Sequence, residues 1–458
     1  MKKLIVLMCT GALVTSQAMA QRSAPTPEQA AAQKAQADAT QADRNNMMQQ
    51  LHIPAMRPPR NGSDSTAPNF TNYDESKANP YPTLPDPLTF KNGKKVTTAA
   101  QWPARRKEIV EDLEREMYGR LPKNIPGVTW TVIKDTNEVA SGIPVNTKWV
   151  KGHVDNSSYP AINVDLELTL TVPTNAKGPV PVIMVFGGGF ATPRGFGGPP
   201  RTAPANAPKS AKDQILEKGW AYASFNPGSV QADNGAGLTK GIIGLVNKGG
   251  FRKPDDWGAL RAWAWGADRA IDYFETNKAV NAKEVAIEGH SRYGKGAIVA
   301  LAFNLRMATA YVSSSGEGGA KLSRRNFGEV VENVTASSEY HWMAGNFLKY
   351  GSILQWNDLP VDAHELIAII APRPVFISGG KVAKVNMDGW VDAPGMFMAA
   401  DAAGPVYKLL GKKPMETHTF PKIETYVDGD IAFRQHSAGH TDVPNWPFFL
   451  TFADKYFK

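Results

Sequence analysis

Cysteine is almost missing from this chain. Among 458 residues the only one is Cys9, which sits in an N-terminal stretch that reads as an export signal. The mature protein therefore has no thiol, and its export brings no disulfide framework with it. Long apolar runs are also missing. The run over 4–14 is too short to span a bilayer, and no later segment approaches the required length. No basic run carries interleaved aromatics, so nucleic acid is not indicated. There is no internal repeat. None of the eight histidines shows metal-ligand spacing, and neither a metal nor an organic cofactor is expected.

A hydrophobic content of 42% with 21% charged residues describes a globular chain with a sizeable core, long enough for one large domain or two ordinary ones. Lys2 and Lys3, the apolar run, and small residues at Ala18 and Ala20 form a secretory signal over 1–20, with the mature chain beginning at Gln21. A lipid anchor on Cys9 is disfavoured, because Met8 is too large for the position before such a cysteine. The expectation is an exported protein, periplasmic or secreted, monomeric and free of the membrane. The net charge of +8 favours acidic polymers as partners, and it is also what an ordinary solvated basic surface gives. Eleven tryptophans fit a carbohydrate-facing surface, but the more common use is core packing.

Residues 21–75 are rich in Ala, Gln, Pro, Asn and Ser and read as a disordered, low-complexity leader, at most partly helical. From 76 to 458 a single domain is expected. An amphipathic helix over 103–118 comes first, then strands and helices alternate. Strands are expected over 166–172, 180–186, 220–225, 284–288, 310–314 and 375–380. Helices are expected over 211–218, 257–277, 294–305 and 446–456. The apolar stretch at 180–186 has no polar alternation, as in a strand buried on both faces, and it runs into Gly187-Gly188-Gly189-Phe190. This order implies a mostly parallel, doubly wound sheet whose active site lies at the strands' carboxyl ends.

Ser291 falls where an expected strand meets an expected helix, in Gly289-His290-Ser291-Arg292-Tyr293-Gly294. That is the setting of a nucleophile elbow, in which a sharp turn exposes the serine hydroxyl and the following helix directs its amides at a developing oxyanion. The implied architecture is an α/β-hydrolase fold, a three-layer sandwich around that sheet. The spacing is irregular, since Tyr293 stands where G-x-S-x-G has its second glycine. A strand-to-helix turn with a polar residue and no chemistry would also give this pattern.

The wider pattern is more specific. Gly-His-Ser-Arg-Tyr-Gly-Lys over 289–295 resembles the signature of the glucuronoyl esterases, carbohydrate esterase family 15. The likeness continues through Asp256-Trp257-Gly258-Ala259, Ser315-Gly316-Glu317-Gly318-Gly319-Ala320, Arg324-Arg325-Asn326-Phe327-Gly328-Glu329 and Asp388-Gly389-Trp390, and it covers about 76–458. It implies a serine esterase that cleaves the ester between (4-O-methyl)glucuronic acid on glucuronoxylan and a lignin alcohol, with Ser291 as nucleophile. An acetyl or feruloyl xylan esterase and a non-catalytic carbohydrate-binding relative are the alternatives.

The base should follow the acid in sequence and precede the last helix. His440, after Gly439, meets that rule and matches the family's histidine. His436 competes on spacing but lacks the glycine. His290 reads as part of the elbow and His364 as a satisfied residue at a helix start. The acid is open to more candidates. Where fungal members carry a Glu, this chain has Ser314. The resemblance to bacterial members places the acid at Asp388, with Glu317 as rival and Asp392 and Asp362 behind it; Asp362 reads as a helix cap. The family also implies Arg292 at the oxyanion and uronate, Lys295 and Glu329 on the sugar hydroxyls, and Trp390 on the ring. Competing readings are a solvated first-turn Lys295, an ion pair from Glu329 to Arg324 or Arg325, and a Trp342 that only packs.

Overall fold

A computed structural model describes residues 25–188, 208–381 and 387–458. The expected signal, together with Gly189 and Phe190, lies outside them. Among the described residues ten strands form one sheet: β1 (Val128–Ala140), β2 (Ile143–Val154), β3 (Asp165–Pro173), β4 (Val180–Phe186), β5 (Ala221–Phe225), β6 (Val280–His290), β7 (Thr309–Ser313), β8 (Val375–Gly379), β9 (Tyr426–Val427) and β10 (Ile431–Gln435). Their spatial order is β1-β2-β3-β5-β4-β6-β7-β8-β10-β9. From β5 to β10 every pairing is parallel, while β1, β2, β3 and the short β9 pair antiparallel.

The alternation of side chains along the parallel strands produces the layers. Val182, Met184, Val285, Ile287, Val312 and Ile377 belong to one apolar cluster; Ile183, Ala286, Tyr311, Phe376 and Ala432 belong to the other. Successive residues point to opposite faces, so both faces of each strand need cover, and the uniform hydrophobicity seen in the sequence follows. The first face is covered by α1 (Ala259–Thr276), α2 (Arg292–Phe303) and α3 (Ala393–Leu409). The second is covered by Trp446, Phe449 and Phe452 of α4 (Trp446–Asp454) and by Ile215 of the helix Ala211–Glu217. This is the three-layer α/β sandwich expected from the sequence.

Several elements differ from expectation. The β1–β2 hairpin was not anticipated, because β1 is largely solvated and carries no apolar stripe. The helix Ala393–Leu409 was also missed; Gly395, Gly404 and an internal Pro405 obscure its periodicity. The helix expected over 103–118 is regular over Trp102–Asp112, then continues as a wider turn through Tyr118.

The largest departure is at the N-terminus. The expected leader is ordered from residue 25, and Pro27–Gln50 is a helix with a capping box at Thr26 and Gln29. Its apolar content is too sparse to announce a docked face, but what there is has been placed well. Met47 is buried against Gly345, Asp43 accepts a hydrogen bond from Tyr340 Oη (2.9 Å), and Thr40 Oγ1 accepts from the Ala236 amide (3.0 Å). Arg57 then pairs with Glu332 (2.7 Å). Truncating a buried Met to Ala typically costs about 2–5 kcal/mol, so Met47→Ala should lower the denaturation midpoint measurably. An unchanged midpoint would mean that this helix is not anchored to the domain.

Candidate active site

Ser291 directly follows β6 and starts α2, with φ 60° and ψ −128°, a conformation that a non-glycine residue adopts only when its surroundings impose it. The surroundings are tight. A Cβ at Gly289 would stand 2.0 Å from the Tyr293 carbonyl oxygen, and one at Gly294 2.6 Å from that of Ser313. The Ser291 amide donates to the Ser313 carbonyl on β7 (2.9 Å), which ties the turn to the sheet. The irregular spacing now has a cause. Tyr293 is directed into the core against Trp263 and Phe186, and Gly294 is the position that faces β7.

His440, in the loop after β10, donates from Nδ1 to Asp388 Oδ1 (2.7 Å). Asp388 lies beyond the carboxyl end of β8 and is fully buried. Its other oxygen accepts from the Gly380 amide (2.6 Å) and Ser314 Oγ (2.5 Å). Ser314, which looked like a lost acid position, thus holds the carboxylate that faces His440. The His440 ring packs 4.2 Å from that of His290, the residue before Ser291, and 5.2 Å from Trp390. Burial, then the neighbouring His440, pushes the His290 imidazole down to about 4. His290 is therefore a neutral ring whose Nδ1 bonds Ser313 Oγ (3.0 Å).

The rival carboxylates are engaged elsewhere. The Glu317 side chain is fully buried with Lys321 (3.2 Å) and Ser323. Asp392 caps α3 and pairs with Arg325 (2.8 Å). Asp362 caps the helix Ala363–Ala368 and pairs with Arg324 (3.1 Å). His436 is tied to the Thr441 carbonyl (2.9 Å) and His364 to that of Pro85 (2.7 Å).

Trp390 also borders a charged cluster. Lys295 is almost fully buried and its Nζ donates to Glu329 Oε2 (2.6 Å) and the Glu317 carbonyl (2.7 Å). The reading of Lys295 as a solvated lysine is therefore excluded, and Glu329 pairs with Lys295 rather than with Arg324 or Arg325. Glu329 also accepts from the Glu317 amide (2.9 Å), and its own amide donates to the Trp390 carbonyl (2.8 Å). Lys295, Glu329 and Trp390 are thus brought together. Arg292 is half-exposed, bonds Asp233 Oδ2 through Nη1 (2.6 Å) and lies over the Trp342 ring. Trp342 does pack, as read from the sequence, but its ring is also a floor shared by Arg292 and Lys295.

Asp233 and Glu339 were not singled out from the sequence. Asp233 lies in a loop with no motif, and Glu339 is one acid among many. Burial, then the nearby Glu329, pushes the Glu339 carboxyl up to about 8. The arrangement as a whole sets a half-buried serine near an oriented imidazole, beside paired cations and hydrogen-bonding groups suited to a hydroxylated anion.

Residues 158–411 match the family model described as glucuronyl esterase, fungi. A carbohydrate esterase named MZ0003, from an unknown prokaryotic organism, is 33% identical over 414 residues, covering 84% of this chain and 92% of that protein. A 4-O-methyl-glucuronoyl methylesterase of Podospora anserina is 32% identical over 303 residues, 64% of this chain and 54% of that longer one. Among solved structures, a CE15 glucuronoyl esterase from Teredinibacter turnerae superposes with a TM-score of 0.84 at 40% identity, covering 91% of this chain and 99% of that one. A glucuronoyl esterase from Solibacter usitatus superposes with a TM-score of 0.71 at 33% identity, covering 83% and 99%. With this likeness across the whole sandwich and an elbow, imidazole and carboxylate at its carboxyl edge, the chain belongs to the glucuronoyl esterases of carbohydrate esterase family 15.

Proposed function

We propose that this enzyme hydrolyses the ester linking (4-O-methyl)glucuronic acid on glucuronoxylan to a lignin alcohol, using Ser291, His440 and Asp388. The observation that carries the assignment is the 2.7 Å bond from His440 Nδ1 to the buried Asp388. It fixes the tautomer, so Nε2 is the nitrogen that takes the serine proton. Ser291 Oγ attacks the C6 carbonyl while its proton passes to His440. The tetrahedral oxyanion is met by the amino end of α2 and by Arg292. Collapse breaks the ester C–O bond, and the leaving alcohol takes the proton from His440. Water then repeats the sequence on the acyl-enzyme and releases the free uronate. Lys295, Glu329 and Trp390 bind the sugar. We further propose that the protein works after export, in the periplasm or outside the cell. Among the described residues no helix is long and apolar enough to cross a membrane.

Two other readings are less well supported. A non-catalytic carbohydrate binder has no use for a buried carboxylate oriented onto an imidazole. An acetyl or feruloyl esterase has no use for two cations beside the acyl site. Ser291→Ala should abolish turnover of benzyl glucuronate while glucuronate binding survives, and the wild type should prefer benzyl glucuronate to acetylated xylan. Activity confined to acetylated xylan would overturn the substrate assignment.

Asp388→Asn removes the orienting charge and is expected to lower kcat on the order of 10⁴-fold. Glu317→Gln should lower the unfolding midpoint through its unpaired Lys321, with kcat near the wild-type value. The reverse pattern in kcat would reassign the acid.

Glu339 is neutral at pH 7 and ionises as pH rises through about 8, which places a second negative charge beside Glu329. Product inhibition by glucuronate should therefore weaken from pH 7 to 9 in the wild type. In Glu339→Gln that dependence should flatten, and an equal slope in both proteins would exclude Glu339 from the uronate site.

A further inference from the structure

Arg292 presents a difficulty for the chemistry just described. A half-exposed arginine gives up rotamer freedom when it is fixed, and an unfixed guanidinium stabilises an oxyanion poorly. We propose that Asp233 is the positioning residue that fixes Arg292, and that the N-terminal helix Pro27–Gln50 holds Asp233 in place. This rests on the reading of Arg292 as an oxyanion and uronate ligand.

Both oxygens of Asp233 are committed. Oδ2 accepts from Arg292 Nη1 (2.6 Å). Oδ1 accepts from Trp342 Nε1 (2.6 Å) and from His341 Nε2 (2.9 Å). Although burial works against its charge, these three donors hold the carboxyl well below the usual range, so it stays ionised. His341 is buried, which favours its neutral ring, so it serves Asp233 as a hydrogen-bond donor. The indole that donates to Asp233 also lies under the guanidinium, 5.6 Å from its centroid. Arg292 is thus held from its edge by a carboxylate and from its face by an aromatic ring. Among the described residues the bond to Asp233 is the guanidinium's one hydrogen bond, so Nη2 and Nε can still serve substrate.

Pairing a cation with a carboxylate weakens its field at the oxyanion. The arrangement is therefore useful for orientation rather than for charge. Its two arms, the loop after Asp233 and the turn Tyr340–Trp342, meet at a single residue of the N-terminal helix. Thr40 Oγ1 accepts from the Ala236 amide (3.0 Å), and the Thr40 carbonyl accepts from Tyr340 Oη (3.0 Å). Met47, buried against Gly345, anchors the same helix one step further on. The segment that read as a tether is in this view part of the apparatus that aims Arg292.

The test is a double-mutant cycle on benzyl glucuronate hydrolysis with Asp233→Asn, Arg292→Ala and the double variant, with kcat and KM read separately. Asp233→Asn should lower kcat about 10- to 100-fold, as small misplacements near a reacting centre do, with little change in KM. In the Arg292→Ala background the same substitution should change kcat by about twofold or less. Equal losses in both backgrounds overturn the proposal, because Asp233 then acts without Arg292; so does an unchanged kcat for Asp233→Asn. A wild-type kcat for Arg292→Ala removes the underlying reading of Arg292 itself, which is a different result from additivity. Thr40→Val keeps Asp233 and deletes only the hydroxyl. It should give a smaller kcat loss that disappears with Arg292→Ala, and the absence of any loss would overturn the role of the helix.

Discussion

The hydrogen bond between Asp388 and His440 joins the loops that leave two neighbouring strands of the parallel ladder, and the Lys381 amide bonds the Ala438 carbonyl (3.1 Å) across the same pair of loops. Gln435 of β10 is level with Gly379 of β8, and Ser378 with Ser313 of β7. Ser291 follows the strand on the other side of β7, and its amide is tied to Ser313. Four strand ends are therefore aligned at one edge, and each carries one part: Ser291, the hydroxyl of Ser314, the carboxylate of Asp388 and the imidazole of His440. In a parallel sheet all carboxyl ends lie on the same side, so residues up to 149 positions apart converge without any long-range covalent link. A slip of one residue between β8 and β10 would turn every apolar side chain to the wrong face. The same core that stabilises the sheet thus sets the geometry of Ser291, Asp388 and His440.

Burial of charge is the second constraint. Lys295 lies in the first turn of α2, where the helix dipole and the loss of water both disfavour an ammonium. It is tolerated because Glu329 and the Glu317 carbonyl accept hydrogen bonds from it. Glu329 is in turn held by backbone amide bonds to Glu317 and Trp390. Removing either partner of such a pair leaves an uncompensated buried charge, which costs far more than the intact pair gains. Lys295 and Glu329 are for that reason a single unit, and burial, then the charge of Glu329, keeps the Glu339 carboxyl protonated beside them.

Much of this was readable in the chain. Uniformly apolar strands, an elbow between strand and helix, and a histidine before the last helix each follow from short-range rules, and the corresponding elements are in place within a few residues. Lys295, Glu329, Trp390 and Asp388 were reached through resemblance rather than through spacing, and all four lie around Ser291 and His440. What the chain hid was of another kind. The helix Pro27–Gln50 carries so few apolar residues that its pattern is that of a solvated tether; Met47 and Asp43 matter only because Gly345 and Tyr340 are opposite them. Ser314 looked like a lost acid and is instead a ligand of the acid.

Local sequence determined where the backbone turns at Ser291 and which strands must be buried, because steric exclusion at Gly289 and Gly294 and side-chain alternation act over a few residues. Only the tertiary structure decided which carboxylate faces His440, which partner neutralises Lys295, and which carboxylate pairs with Arg292. Those choices depend on which loops the sheet brings together and which charges burial leaves in need of a partner, and neither quantity exists until the chain has folded.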